Sequence, residues 1–360
     1  MDTLRAAMER NSSAPVPSTS PSLATSRNLD VLRATAVLVV FTFHLLLFWG
    51  VTARGYGRFG VFMFFVHTSL VLMFSLDRQI SENPKGGIFW PFMGRRCFRV
   101  YPLSALVVAL VYLLDMPQTH VAEHSMTNPG LDAVGLVANL ALVQDLVNRP
   151  SSPGVLWSLP LEMQMYLFLP LFHRLAKREG SRWSDGRALT VAAWLVAVGV
   201  AVVLHLCGYY GTVLAVAPMF LPGVVAYALY RRNVARLAPW VWLLGIGCAI
   251  AAYTLTESTP VAWAGCLALG VLAPHCRELD ASVFTRVCSE IAKYSYGIYL
   301  FHLVSIWLAF MVLDDMPWYV QWSAFVVSAV ALPVAGYHAV EKPMMDLGRR
   351  LLTARRPSAG

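Results

Sequence analysis

The sequence predicts an all-α polytopic transmembrane helix bundle, with about ten spans plus a short interfacial helix, on three observations. Of the 360 residues 57% are hydrophobic and only 13% are charged, a balance that ordinary soluble domains do not carry. Apolar segments long enough for a bilayer recur along the whole chain. Short linkers rich in Lys and Arg separate them, and these fall on alternate turns of the chain, as the positive-inside rule requires of a multispan protein.

The apolar segments lie at about 31–53, 58–76, 98–114, 133–147, 157–175, 189–208, 212–230, 240–256, 260–274, 294–313 and 318–340. Segment 133–147 is short for a span and contains Asn139, with Gln144 and Asp145 at its end, so it reads as the interfacial helix. With ten crossings the basic linkers 78–99, 174–187, 231–236, 277–293 and 342–356 all share one side. Arg54, Arg58 and Arg149 stay on the other, beside Asp115, Glu123, Asp132, Glu257, Asp314 and Asp315. An eleventh crossing would break that bias, so both ends are expected in the cytoplasm.

Residues 1–28 are rich in Ser, Pro, Thr and Ala and have no apolar run of their own; they read as a disordered cytoplasmic tail and not as a cleavable signal. The membrane domain is expected over 29–345, followed by a basic cytoplasmic tail over 346–360. The net charge of +8 is scattered as punctuation between apolar runs, which argues against nucleic-acid binding. The six cysteines form no C-x-x-C pair and read as small core residues, neither a disulfide frame nor a metal site.

The first span, LDVLRATAVLVVFTFHLLLFWG, carries Arg33 and His44. Eleven residues apart, they return to within about 20° of one helical face and stand about 16 Å apart along it. Arg33 is then expected at a membrane surface and His44 near mid-bilayer. Ionisable groups inside a span mark function by default; the alternative for His44 is a hydrogen bond to a neighbouring helix. FMGRRCFRVYP puts Arg95, Arg96 and Arg99 at the start of the third span, where guanidiniums hold phosphates in bidentate fashion or contact lipid headgroups. With Arg33 on the same side, one extended ligand would lie with its phosphates among the arginines and its other end at His44.

GVLWSLPLEMQMYLFLPL begins on the outer side, with Pro160 suited to a first helical turn. Glu162 and Tyr166 share a face four residues apart, and Trp157 and Ser158 sit at the interface. Glu162 either binds hydroxyls of a substrate or pairs with Arg54 or Arg58. His302 in KYSYGIYLFHL lies about 12 Å past Tyr294, and His67 in GVFMFFVHTSL nine residues past Arg58; both are expected at the depth of His44, as substrate contacts or as packed histidines. Glu341, beside His338 at the cytoplasmic end of the final span, has a helix-end ion pair as its ordinary reading.

In this order, LDVLRATAVLVVFTFH, GVFMFFV, RCFRVYP, WSLPLEMQMY, SYGIYLFH and VEKP resemble the acyltransferase-3 family of integral-membrane O-acyltransferases, which includes bacterial polysaccharide and lipopolysaccharide O-acetylases and macrolide O-acyltransferases. The resemblance runs from Leu29 to Pro343. It implies transfer of an acetyl or other short acyl group from a cytoplasmic acyl-CoA to a hydroxyl of a cell-surface glycan, lipid or secondary metabolite, without a metal, at the inner membrane of a bacterial cell envelope. By position, Arg33 and His44 match the family's essential pair, and Arg96 and Arg99, with Arg95 beside them, its coenzyme-binding arginines. Glu162, Trp157, Ser158, Tyr166, His67 and His302 are then the expected substrate contacts.

The second span departs from the family's FF-x-x-S-G: it reads Phe64-Phe65-Val66-His67-Thr68-Ser69, so a helix-packing glycine is absent there. The competing hypothesis is a proton-coupled transporter or exporter of a lipid-linked or small hydroxylated molecule, with the histidines as a relay. It lacks an account of the separate arginine cluster.

Overall fold

A computed structural model describes residues 26–51, 55–82, 87–116, 130–180, 185–231 and 237–354. The expected N-terminal tail up to residue 25, together with Arg54 and Glu123, lies outside the described residues. The helices are α1 (Arg27–Phe48), α2 (Tyr56–Glu82), α3 (Phe89–Leu113), α4 (Ala133–Ala141), α5 (Ser158–Ala176), α6 (Gly186–Leu206), α7 (Val213–Tyr230), α8 (Pro239–Thr256), α9 (Thr259–His275), α10 (Val283–Trp307), α11 (Trp318–Gly336) and α12 (Lys342–Ala354). A 3-10 turn, Gly154–Trp157, leads into α5, and π turns follow α10 (Leu308–Val312) and α11 (Tyr337–Glu341).

Among the described residues nine helices are long and apolar enough to cross a membrane, and α9, with 17 residues, is a shorter apolar helix. The all-α polytopic bundle is therefore present. Helix α4 has nine residues, about 13 Å of rise, far less than a bilayer core. Its buried Asn139 bonds the Pro150 carbonyl (2.9 Å) and receives the Ser152 amide (2.9 Å), pinning the loop that follows.

Helices α2 and α7 form the centre. Both are buried along most of their length, α2 packing on α1, α5, α7 and α9, and α7 on α6, α2, α9 and α5. Their seam needs a glycine: a Cβ at Gly223 would meet the Ser69 hydroxyl at 1.9 Å and the Val66 carbonyl at 2.4 Å. Ser69 Oγ donates across the same seam to the Phe220 carbonyl (2.7 Å). The glycine absent from the second span thus has its counterpart on the facing helix. Pro222 lacks the N–H that would bond the Pro218 carbonyl; the Trp194 indole donates to that oxygen instead at 2.9 Å, as a buried backbone acceptor requires. At one end of this core Asp77 accepts from His173 (3.0 Å), Tyr227 (2.5 Å) and Lys177, tying α2, α5 and α7 together.

Peripheral helices are apolar on the outside. Leu195, Val196 and Val203 on α6, Leu244 on α8 and Val326, Val327 and Val330 on α11 are exposed, the surface that lipid covers in a membrane protein.

Helix α1 is anchored where it begins. Ser26 Oγ donates to Glu278 (2.6 Å), Asn28 exchanges bonds with Arg277 and Leu279, and the Trp242 indole donates to the Asn28 carbonyl. From there α1 packs parallel to α10, with Asp30 beside Ser289 and Arg33 beside Ser295, and antiparallel to α2. A Cβ at Gly60 would strike the Ala36 carbonyl (2.7 Å) and Val40, and Phe43 meets Tyr56 edge to face. In this register His67 is level with Arg33, and His44 with the start of α2.

Two boundaries differ from expectation, for a common reason. Helices α3 and α10 begin at Phe89 and Val283, well before the expected 98 and 294, because Arg and Lys, which lower the hydropathy there, are good helix formers. Residues from 346 continue as α12 through Ala354. That helix is amphipathic and lies on α3, with Gly348 against Phe98 and Gly94 against Leu352.

Candidate active site

Helices α1, α2, α3, α5 and α10 enclose a cavity of about 200 Å³. Arg33, Arg96 and Arg99 line it with His67, Thr68, Ser158, Glu162, Tyr166, Ser295, Tyr296 and Tyr299. Of the sequence-derived candidates it therefore gathers Arg33, Arg96, Arg99, Glu162, Ser158, Tyr166 and His67. The volume is below the usual range for a whole drug-sized ligand.

The charge is unbalanced. Three guanidiniums face one lining carboxylate, Glu162, which is hydrogen-bonded by Tyr166 and Thr68. A second carboxylate lies behind the wall: the π turn at the end of α11 carries Glu341, 1% exposed, to 3.3 Å from Arg99. Arg99 also reaches Met345 Sδ on α12. Arg33 Nε donates to Ser295 Oγ at 2.6 Å, and Ser295 passes its own hydrogen to the Ala292 carbonyl. The buried Nε of Arg96 has no hydrogen-bond partner. A buried donor without a partner is costly, and guanidiniums are well suited to hold anions.

Several candidates lie elsewhere. Arg95 is 3.9 Å from Glu82 at the end of α2 and does not line the cavity. Trp157 lines a separate cavity at the opposite end of the bundle, with Arg58, Phe62, His205 and Tyr253. His44 and His302 line neither; they form a pair, His302 Nε2 to His44 Nδ1 3.2 Å, with rings 4.9 Å apart. Tyr299 joins the two places. It faces the cavity and donates to Val155, with Ser158 Oγ 2.8 Å from its hydroxyl, while its ring centre is 6.2 Å from that of His302.

Depths also change. Helix α1 is unbroken, so the Arg33 to His44 spacing of about 16 Å stands, but His44 is four residues from the end of α1 at Phe48. It lies towards the far end of the bundle and not at mid-span. His302, counted from the true start of α10 at Val283, is about 28 Å along its helix, level with His44. His67 does not share their depth; it is beside Arg33. Glu162 is not an outer-face carboxylate and does not pair with Arg58. Val155 and Leu156 are buried, so the 3-10 turn dips into the bundle, and α5 begins inside it. Four residues later Glu162 is already among the arginines. His338 contacts Tyr294 (3.3 Å), leaving Glu341 to Arg99.

Sequence reasoning missed Ser295, Tyr296, Tyr299 and Thr68. Ser295, Tyr296 and Tyr299 stand in the KYSYGIYLFHL motif, where a three- and four-residue spacing places them on one helical face. That signal was available. Among the described residues no three of His, Cys, Asp and Glu gather as a metal site, and all six cysteines are free.

The acyltransferase-3 sequence model, described as an acyltransferase domain, matches residues 26–338. The chain belongs to the acyltransferase-3 family. It is therefore an acyltransferase-family membrane enzyme that transfers groups other than aminoacyl groups. Within this family the chain is similar to Acyltransferase MdmB of Streptomyces mycarofaciens, 26% identical over 349 residues that cover 84% of each chain. It is similar to Nodulation protein 10 of Rhizobium leguminosarum bv. viciae, 26% identical over 285 residues, 72% of this chain and 67% of that one. A Bacillus subtilis protein named for peptidoglycan O-acetyl transfer, YrhL, is 31% identical over 150 residues, 40% of this chain and 23% of that one. No solved structure matches.

Proposed function

We propose that the protein moves an acetyl or other short acyl group from acyl-CoA to a hydroxyl of a glycan, lipid or metabolite. One observation carries this: three guanidiniums converge on a buried cavity with too few carboxylates to neutralise them, one of them with an orphaned Nε. Phosphates of the donor supply the missing negative charge, and Arg33, Arg96 and Arg99 hold them. Glu341 positions Arg99 from behind.

In this reading the thioester end of such a donor extends to His44, about 16 Å along α1 from Arg33. His44 Nε2 takes the proton of the acceptor hydroxyl as that oxygen attacks the thioester carbonyl. The tetrahedral intermediate then expels the coenzyme thiolate, which recovers the proton from the imidazolium, leaving an ester, free coenzyme and neutral His44. Holding both substrates beside one base in a water-poor bundle supplies much of the remaining acceleration. Glu162 and Tyr166, among the arginines, belong to the donor end under this assignment and not to the acceptor.

The basic linkers favour the Arg33 end as the cytoplasmic one, with both termini there and the bacterial inner membrane as host. The name of YrhL agrees with a hydroxyl acceptor but selects none for this chain.

Purified protein incubated with labelled acetyl-CoA and a panel of hydroxylated acceptors is expected to consume thioester and to label at least one acceptor. Movement of an acceptor across vesicles in response to a proton gradient, with the thioester intact, would favour the transporter hypothesis instead.

A further inference from the structure

The hydrogen bonds around His302 admit a single proton arrangement for two neutral rings. His302 Nδ1 lies 2.7 Å from the Tyr299 carbonyl and 3.2 Å from that of Ile298. Carbonyls only accept, so this nitrogen carries the hydrogen, and His302 Nε2 keeps its lone pair. That lone pair faces His44 Nδ1 at 3.2 Å, and the Val40 carbonyl faces the same nitrogen at 2.9 Å. With two acceptors in front of it, His44 Nδ1 must hold the hydrogen. His44 Nε2 is then bare.

We infer that His302 is a positioning residue that holds the His44 ring with Nε2 presented as the base and stabilises the imidazolium formed during transfer. The inference rests on His44 being the base. In hydrolytic triads a third group accepts from the nitrogen of histidine that does not do the chemistry, fixing tautomer and ring angle and supporting the charge that develops. Here an uncharged imidazole fills that position. Its own orientation is set by the α10 backbone, so no buried carboxylate is needed. When His44 Nε2 takes a proton, its Nδ1–H becomes a charged donor, and the bond to His302 strengthens in the transition state more than in the ground state. Aromatic rings flank the pair, Phe41 at 6.1 Å and Tyr299 at 6.2 Å from His302 and Phe43 at 5.1 Å from His44, and His302 itself is buried.

The role predicts a split between turnover and donor binding. In nanodiscs, His302→Leu should lower kcat about 10- to 100-fold, the range for a hydrogen bond to a charged group, with the KM for acetyl-CoA unchanged. His302→Gln, whose amide oxygen accepts from His44 Nδ1, should recover most of the loss. His302→Met serves as the apolar comparison if the leucine variant does not reach the membrane. A purely structural role moves the melting temperature and leaves kcat of the folded fraction alone; full kcat in the apolar variant, or a glutamine variant as impaired as it, overturns the inference. His44→Ala run alongside separates the two claims. Transfer surviving His44→Ala defeats the assignment of the base, whereas loss in His44→Ala with full activity in His302→Leu defeats only the positioning role.

Discussion

The arginine cavity and the histidine pair are built on opposite plans. Around the cavity, charge exceeds its compensation: three guanidiniums line it against one carboxylate, with Glu341 buried behind Arg99. At the pair each Nδ1 is satisfied by backbone carbonyls, and the two rings complete each other. The first region keeps an excess of positive charge, and the second is already arranged apart from one bare nitrogen. The arginine cavity and the histidine pair are thus separated along the length of α1, about 16 Å apart. Under the proposed function, one extended donor places its phosphates at the first region and its thioester at the second.

If binding resides in the cavity, Arg96→Gln should weaken acetyl-CoA binding by about tenfold to a hundredfold, the cost of a hydrogen bond to a charged group, with little change in kcat at saturation. Equilibrium binding of labelled acetyl-CoA checks it; an equal fall in kcat with binding intact would erase the division between the two regions. A smaller effect is expected behind the cavity, where Gly223→Ala forces a methyl against the Ser69 hydroxyl and the Val66 carbonyl. Overpacking of this kind costs about 1–3 kcal/mol and should lower the melting temperature of the solubilised protein. An unchanged melting temperature would show that the α2–α7 seam yields freely. Smallest of all, Arg95→Gln should change the affinity for acetyl-CoA less than about twofold, since its partner is a half-exposed Glu82 and such pairs contribute little. A loss equal to that of Arg96→Gln would return Arg95 to the cavity.

The bundle was legible because hydropathy and linker charge act on whole segments, and the nine-residue α4 was legible from Asn139 and its polar flank. The arginine cluster was legible as a group, although Arg95 was not separable from Arg96 and Arg99. Adjacent guanidiniums look alike in sequence, and only the end of α2 diverts one of them. Depth was the main loss. Glu162 was read outward because the sequence gives no sign that the 3-10 turn before Ser158 starts inside the bundle. His67, His44 and His302 were given one depth because each was counted from an assumed helix start, and α10 begins eleven residues earlier than that. The close approach at Gly223 was invisible because it depends on which helix faces α2.

Acyl transfer by His44→Ala, reconstituted in nanodiscs with labelled acetyl-CoA and an acceptor used by the unaltered protein, tests the division most directly. Loss of about 100-fold or more in kcat, within the range for general-base catalysis, with acetyl-CoA affinity retained, is the result the two-region account predicts. Transfer at the original rate would contradict it.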